Sequence, residues 1–368
     1  MAAYDANSLK NTWKLRQQLL ADTYAISPYQ RFMIHEPKER PIVATRIKDR
    51  QFQRSLCDNV LYDQITRGFI RDNCACLRGR GVDDALSRMD AHLHRYFRKH
   101  GADGWVLKCD IRHYFAETAH DVAKAAICKR VTDRVAAARA CEIIDSFGGD
   151  KGIGLGSQVS QLTELAVLDD LDHYIKERLR IRHYVRYMDD FVLIHHDRAT
   201  LENALVEIRK RITAMGLTLN AKTQIFPLRQ GLVFLKWRFI LTDTGKVVRR
   251  MSKASISKQR RKLRKLKAKI EDPQSPLVLR DAENSIQAWV ANAQRGDTRA
   301  IVRKMLEYYN QLYWRYYHGQ HQGKRQPPPG QGNRQGGSRG EALRGSGAAA
   351  GAAVPAERSG GQPGHGAV

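Results

Sequence analysis

Two apolar stretches flank one short polar step near the middle of the chain. Ile181, Tyr184, Val185 and Tyr187 precede the pair Asp189-Asp190, and Phe191, Val192, Leu193 and Ile194 follow it. β-Branched and aromatic residues favour strands, so the pattern predicts a hairpin with two carboxylates at its tip. A second apolar run, Trp105 to Ile111, reads as a strand ending in Asp110, with Arg112-His113-Tyr114-Phe115 after it. Beyond residue 250 the spacing becomes helical. Leu263, Leu266 and Ile270 fall on one helix face, and Asn284–Trp289 and Met305–Trp314 read as further helices. A polar run from Ser8 to Leu20 reads as helix at the start. A strand, then helices, then a strand hairpin predicts an α+β sheet covered on one face.

Adjacent aspartates often occupy exposed turns for local reasons, and Asp83-Asp84 and Asp169-Asp170 read that way. The strand ending in Asp110 gives Asp189-Asp190 a different meaning. Laid beside the hairpin, it lets Asp110 and Asp189 share two cations of the kind polymerases and nucleases hold about 3.5–4 Å apart. Carboxylate oxygens are hard ligands suited to Mg²⁺, which shares its coordination with substrate phosphates and water.

Charge points to the partner. Lys and Arg number 63 against 38 Asp and Glu, a formal net charge of +25, which favours phosphate contacts and salt-dependent binding. The cations Lys258, Arg260, Arg261, Lys262, Arg264, Lys265, Lys267 and Lys269 surround the Leu263 row. Three apolar residues make a thin stripe for a membrane surface, so this helix reads as one that turns its cations to a duplex. From Gly319 the composition shifts to Gly, Gln, Pro, Ala and Arg, which reads as a disordered tail. That tail holds six of the basic residues against two acidic ones, so the basic excess does not depend on it. The six cysteines form no CxxC pair, and no basic-then-apolar leader or 18-residue apolar run is present. The expectation is a reduced, cytoplasmic protein without a membrane span. His195-His196-Asp197 reads as a polar rim at a strand end rather than a metal site.

Three motifs in order carry a family resemblance: Asp110 five residues before Phe115, the block Gly154-Leu155-Gly156-Ser157-Gln158-Val159-Ser160-Gln161, and Tyr187-Met188-Asp189-Asp190. In this the chain resembles the reverse transcriptases, over roughly residues 30–270. In most members the middle block reads Gln-Gly-x-x-x-Ser-Pro; here Leu155 replaces the glutamine and Gln161 the proline. That departure is similar to the bacterial and phage enzymes of diversity-generating retroelements. The resemblance implies a right-hand polymerase: an N-terminal extension (1–30), fingers (31–100), a ferredoxin-like palm (101–245), a helical thumb or C-terminal region (246–318) and the tail (319–368).

The resemblance also assigns roles. Asp110, Ile111, Asp189 and Asp190 surround two Mg²⁺ ions, with Mn²⁺ as a substitute. Lys38 and Arg40 contact the triphosphate, and a guanidinium fork makes Arg40 the better candidate, while Lys38 and Arg46 read equally well as solvated charges. Leu77-Arg78-Gly79-Arg80-Gly81 resembles a fingers turn near the template. Leu155, Gly156 and Gln161 lie along the nucleotide, and Phe115 lies under its sugar, where a ring excludes a 2′-hydroxyl; alone, Phe115 reads equally as a core aromatic. Lys222, in Asn220-Ala221-Lys222-Thr223, acts near the leaving pyrophosphate. Phe234 and Leu235 belong to the segment that grips the primer, where Lys236 stands in place of the family's more usual glycine.

The implied activity is RNA-directed DNA synthesis from dNTPs on an RNA template with a DNA or RNA primer, with a small basic accessory protein as a further partner. Leucine at 155 offers only apolar contact, which cannot strongly reject a near-isostere, so relaxed base selection is expected, with errors opposite template adenines by resemblance. Other readings stay open. A retron, group II intron-like or phage-defence reverse transcriptase is one, although the low-complexity tail leaves little room for the maturase region of an intron protein and the retron's Val-Thr-Gly triplet is not found. A nonenzymatic RNA-binding protein on a polymerase scaffold is another, and retention of all three carboxylates argues against it.

Overall fold

The computed structural model describes residues 6–35 and 39–318. Lys38 and the tail from residue 319 lie outside the described residues, so the expectations for them are not met or refuted by the fold.

Helix α1 (Ser8–Leu20) has the bounds its polar pattern predicts, and Leu15 is its buried residue. Strands β1 (Gln30–Ile34) and β2 (Arg40–Ala44) pair antiparallel as a separate two-stranded sheet. Helix α2 (Ile47–Leu56) runs through a π-helical turn into α3 (Tyr62–Thr66), and α4 (Val82–His100) follows. Asp83 and Asp84 stand in the first turn of α4, where the helix dipole favours negative charge. They pair there with Arg295 and Arg71.

The central layer then reads β3 (Trp105–Asp110), α5 (Tyr114–Glu117), α6 (His120–Arg130), α7 (Arg134–Asp145), α8 (Gln158–Val167), α9 (Asp169–His173), β4 (His183–Tyr187), β5 (Asp190–His195), α10 (Arg198–Ala214) and β6 (Gln224–Pro227). Its strands pair antiparallel in the order β4-β5-β3-β6. A strand–helix–strand–strand–helix–strand chain with its first and third strands in the middle is the ferredoxin-like arrangement. Asp197 caps α10 by accepting the backbone N–H groups of Ala199 and Thr200.

Both faces of this sheet are covered, where the sequence pattern suggested one. Val106, Val185, Val192 and Ile194 pack with Leu86, Met89 and Leu93 of α4. Leu107, Cys109, Tyr184, Phe191 and Leu193 pack with Leu201, Ile208 and Ile212 of α10. A strand buried on both faces needs a continuous apolar run rather than alternation, and Phe191 to Ile194 is such a run.

Strands β7 (Leu232–Phe234), β8 (Trp237–Leu241) and β9 (Val247–Met251) form a third, antiparallel sheet. The expected palm–thumb boundary at 245/246 therefore passes between two strands of one sheet. Leu235 and Lys236 make the β7–β8 turn with φ of +49° and +70°. Tight hairpin turns with positive φ at both positions favour Asn-Gly. Lys236 is exposed, so the preference for glycine here comes from the backbone and not from lack of room. Helices α11 (Lys253–Ile270), α12 (Leu279–Ala293) and α13 (Arg299–His318) complete the chain. Leu263 of α11 is buried, and Leu266 and Ile270 are half-buried beside it. Leu263, Ile286, Trp289, Met305 and Tyr313 share one core with Phe234, Trp237 and Val185, so the C-terminal helices rest on the same apolar mass as the central sheet. Among the described residues no helix is long and apolar enough to cross a membrane.

Candidate active site

The β3–β5 register sets Asp110 directly opposite Asp190. Tyr187 faces Asp190 across the β4–β5 hairpin, and Met188 and Asp189 make the turn. Directly opposed residues on neighbouring antiparallel strands share a face. The three carboxylates therefore gather at one end of the sheet. The Ile111 N–H donates to the Asp189 carbonyl at 3.2 Å, which latches the turn to the end of β3. Asn220 clamps Asp110 twice, its N–H donating to the Asp110 carbonyl at 2.7 Å and its Nδ2 to Oδ2 at 2.9 Å. Lys108 lies 3.5 Å from Asp190 Oδ2 and donates to the Val233 carbonyl at 2.7 Å, so the central sheet and the β7 strand meet through one ammonium. Burial pushes the Asp190 carboxyl up to about 6; Lys108 opposes that push, and Asp110 and Asp189 add to it.

Beneath the turn lies a charge that the sequence reading passed over. Arg186 is fully buried, and so is its partner Asp172. Its Nε and Nη2 donate to the two Asp172 oxygens at 2.7 and 2.6 Å, and its Nη1 donates to the Met188 carbonyl at 3.2 Å. Burial works against the Arg186 charge, and Asp172 more than offsets it, so the guanidinium titrates above its ordinary range. An arginine between Val185 and Tyr187, inside an otherwise apolar strand, was the available signal, because arginine is almost never fully buried unless paired.

Residues 35–235 match the family described as reverse transcriptase (RNA-dependent DNA polymerase). The chain belongs to the reverse transcriptase family. No curated protein sequence matches it. Among solved structures, apo telomerase from Candida tropicalis, truncated from its C-terminal domain, is 11% identical with a TM-score of 0.47, covering 66% of this chain and 60% of that one. Telomerase from Candida albicans, in complex with a TWJ fragment of telomeric RNA, is 11% identical with a TM-score of 0.47, covering 84% of this chain and 64% of that one. The chain thus spans less than two thirds of either structure.

Reverse transcriptases use divalent metal ions. Among the described residues no three His, Cys, Asp or Glu side chains are gathered closely enough to enclose an ion by themselves. An enclosed site is not what Mg²⁺ requires, since it takes one or two carboxylates and leaves the rest to phosphates and water. The donor set fits that use. All three groups are carboxylates, and Asp190 Oδ1 is buried with no hydrogen-bond partner, a localised negative charge that a nearby cation relieves.

The other expected positions divide. In this reverse transcriptase Leu155 and Gly156 lie against β2: the Val43 N–H donates to the Leu155 carbonyl at 3.2 Å. A Cβ at Gly156 would stand 3.2 Å from the Val43 oxygen, and its φ of +128° suits glycine alone. Arg40 is exposed on the same strand. Ser157 caps α8 and donates to Gln53 at 3.0 Å, and Gln161 lines a cavity of about 300 Å³ with Gln158, Tyr62, Leu77 and Arg78. Phe115 is half-buried against the core, and its carbonyl accepts from the Ile153 N–H at 2.9 Å. Lys222 is exposed on the loop that Asn220 braces, its N–H donating to Asn220 Oδ1 at 3.1 Å. Ile111 is buried in the core, which leaves only its backbone to serve a metal. Phe234 is fully buried and its side chain packs the core, while Leu235 is half-buried at the hairpin turn.

Glu164 on α8 was also missed. It is fully buried; Thr118 Oγ1 donates to its Oε2 at 3.2 Å, and Oε1 has no partner. Burial pushes its carboxyl from 4.5 to about 8. Between those two pH values the folded protein keeps a proton that the unfolded chain has released, so Glu164 lowers stability progressively as pH rises across that window. Glu164→Gln removes this contribution. The stability of the variant minus that of the parent, from urea melts at several pH values, is expected to rise from pH 4.5 to 8. A difference that stays flat would show that the carboxyl is already ionised in the fold.

Proposed function

We propose that this protein is an RNA-directed DNA polymerase that extends a primer 3′-hydroxyl with dNTPs along an RNA template. The observation that carries the reading is the strand register that places Asp110 against Asp190 with Asp189 in the adjoining turn. Attack of a hydroxyl on an α-phosphate builds negative charge on both the entering and the leaving oxygen. Two Mg²⁺ ions supply the countercharge when bound, and Asp110 and Asp189 are the residues that would hold them. Asp190, tied to Lys108, completes the local field. Arg40 offers a two-point fork to the triphosphate and Lys222 a cation to the departing pyrophosphate. The exposed cations of α11, among them Lys258, Lys262, Lys265 and Lys269, suit the phosphates of a template–primer duplex. Primer extension on RNA with Mg²⁺ and dNTPs tests the reading, with product expected only when template, primer and metal are all present.

Leu155 and Gln161 favour the diversity-generating retroelement subtype, which carries with it error-prone synthesis and a small basic accessory partner. Leu155→Gln is expected to lower misincorporation opposite template adenines several-fold, the scale that one apolar contact commands. Equal error spectra for variant and parent would remove the proposed role of Leu155. A pair of near-identical repeats beside the gene, differing mainly at adenines, separates this subtype from retron, group II intron-like and phage-defence enzymes.

A further inference from the structure

We infer that the buried Arg186–Asp172 pair positions Asp189 for the reaction, an inference that rests on the polymerase reading above. Asp172 sits on α9, behind the sheet, and Arg186 sits on β4 two residues before the turn. The guanidinium spans the gap between them: two donors close on Asp172, Nη1 reaches the Met188 carbonyl at 3.2 Å, and Nη2 reaches the Leu165 carbonyl at 3.3 Å. Tyr184 adds its hydroxyl to Asp172 Oδ1 at 2.5 Å. The Arg186 backbone is committed as well, its N–H to the Asp72 carbonyl at 2.9 Å and its own carbonyl to the Cys74 N–H at 3.0 Å. One residue therefore joins α8, α9, the 72–74 segment and the hairpin turn.

The pair does more than hold these elements together. A buried ion pair is seldom more stabilising than well-packed apolar residues of the same volume, so stability alone gives little reason for this one. Its distinctive property is the planar fork, which can hold a carboxylate and still aim a donor elsewhere; a lysine ammonium is a point charge without that geometry. The elsewhere is the Met188 carbonyl. Met188 adopts φ +55°, a left-handed conformation that costs a side-chain-bearing residue free energy and persists only where its surroundings enforce it. The peptide that follows Met188 carries Asp189. A turn released from Arg186 is free to relax to an unstrained φ, and the Asp189 carboxylate moves with it.

The test uses two variants of the full chain. Arg186→Met/Asp172→Leu/Tyr184→Phe replaces the network with apolar groups and leaves no charge or hydroxyl buried without a partner. Arg186→Lys keeps a cation for Asp172 and gives up the fork. Both are expected to melt within a few degrees of the parent and to lose about 10²-fold in kcat, the cost of a misplaced reacting group, with KM for dNTP little changed. Both are also expected to bind Mn²⁺ more weakly in the absence of nucleic acid, read by electron paramagnetic resonance of the free ion. A folded apolar variant with parental kcat and parental Mn²⁺ affinity overturns the inference and leaves the pair as packing. If the apolar variant does not fold, Arg186→Lys decides by the same two readouts. A parent that makes no DNA sinks the polymerase reading instead, and the Mn²⁺ affinities still decide whether Arg186 positions Asp189.

Discussion

Asp110→Asn is expected to lower DNA synthesis by about 10²–10³-fold, the scale on which a single group stabilising transition-state charge acts, without loss of melting temperature. Asp110 faces Asp190 across the β3–β5 pair, and like charges directly opposed on neighbouring strands repel. Removing one of them relieves that repulsion. The amide oxygen that the substitution introduces can still accept from Asn220 Nδ2, so the local clamp survives. The fold should therefore be as stable as the parent or slightly more so, the usual trade between stability and function at a charged site. Primer extension and thermal unfolding on the same preparation check both halves. A large fall in melting temperature would mean that Asp110 is structural.

Asn220→Ala is the second large effect. Asn220 donates to the carboxylate of Asp110 and accepts from the Lys222 N–H, so one side chain orients a candidate metal ligand and braces the loop that carries a candidate acid. Outer partners of metal ligands typically account for about 10–100-fold in affinity or activity. The variant is expected to lose activity in that range and to require more Mg²⁺ for half-maximal rate. A Mg²⁺ titration of the extension rate reads this directly. Unchanged half-saturation with reduced rate would confine Asn220 to the Lys222 loop.

Much of the site was legible because its signals are local. Strand-forming residues on both sides of Asp189-Asp190 gave the hairpin, and an apolar run ending in a carboxylate gave β3. The residues that hold the site came from pairings no local pattern carries. Asn220 meets Asp110 and Lys108 meets Val233 only after the sheet has formed. Arg186 is the exception, since a charge inside an apolar strand announces a buried partner, although the identity of Asp172 does not follow from it. Strand β9 was not legible, because Val247-Val248 is a short apolar step in basic surroundings, and the 245/246 boundary runs between it and its partner β8. The neighbouring turn also lacks the glycine that marks a hairpin, with Leu235 and Lys236 in its place. Phe234, placed by its motif in the segment that grips a primer, has its side chain in the core, a packing role that no local pattern announces. Asp169, read as a turn residue, is buried against Arg130, because α9 begins where a loop was expected.

Metal-dependent nucleotide addition on the proposed reading rests on the carboxylates of β3 and the hairpin turn. DNA synthesis on an RNA template by the parent and by Asp189→Asn, with Mg²⁺ present and with Mg²⁺ removed by chelation, decides whether they support it. Extension is expected from the parent only with Mg²⁺, and none from a folded Asp189→Asn variant; synthesis by that variant at the parental rate would rule out a role for these carboxylates in nucleotide addition.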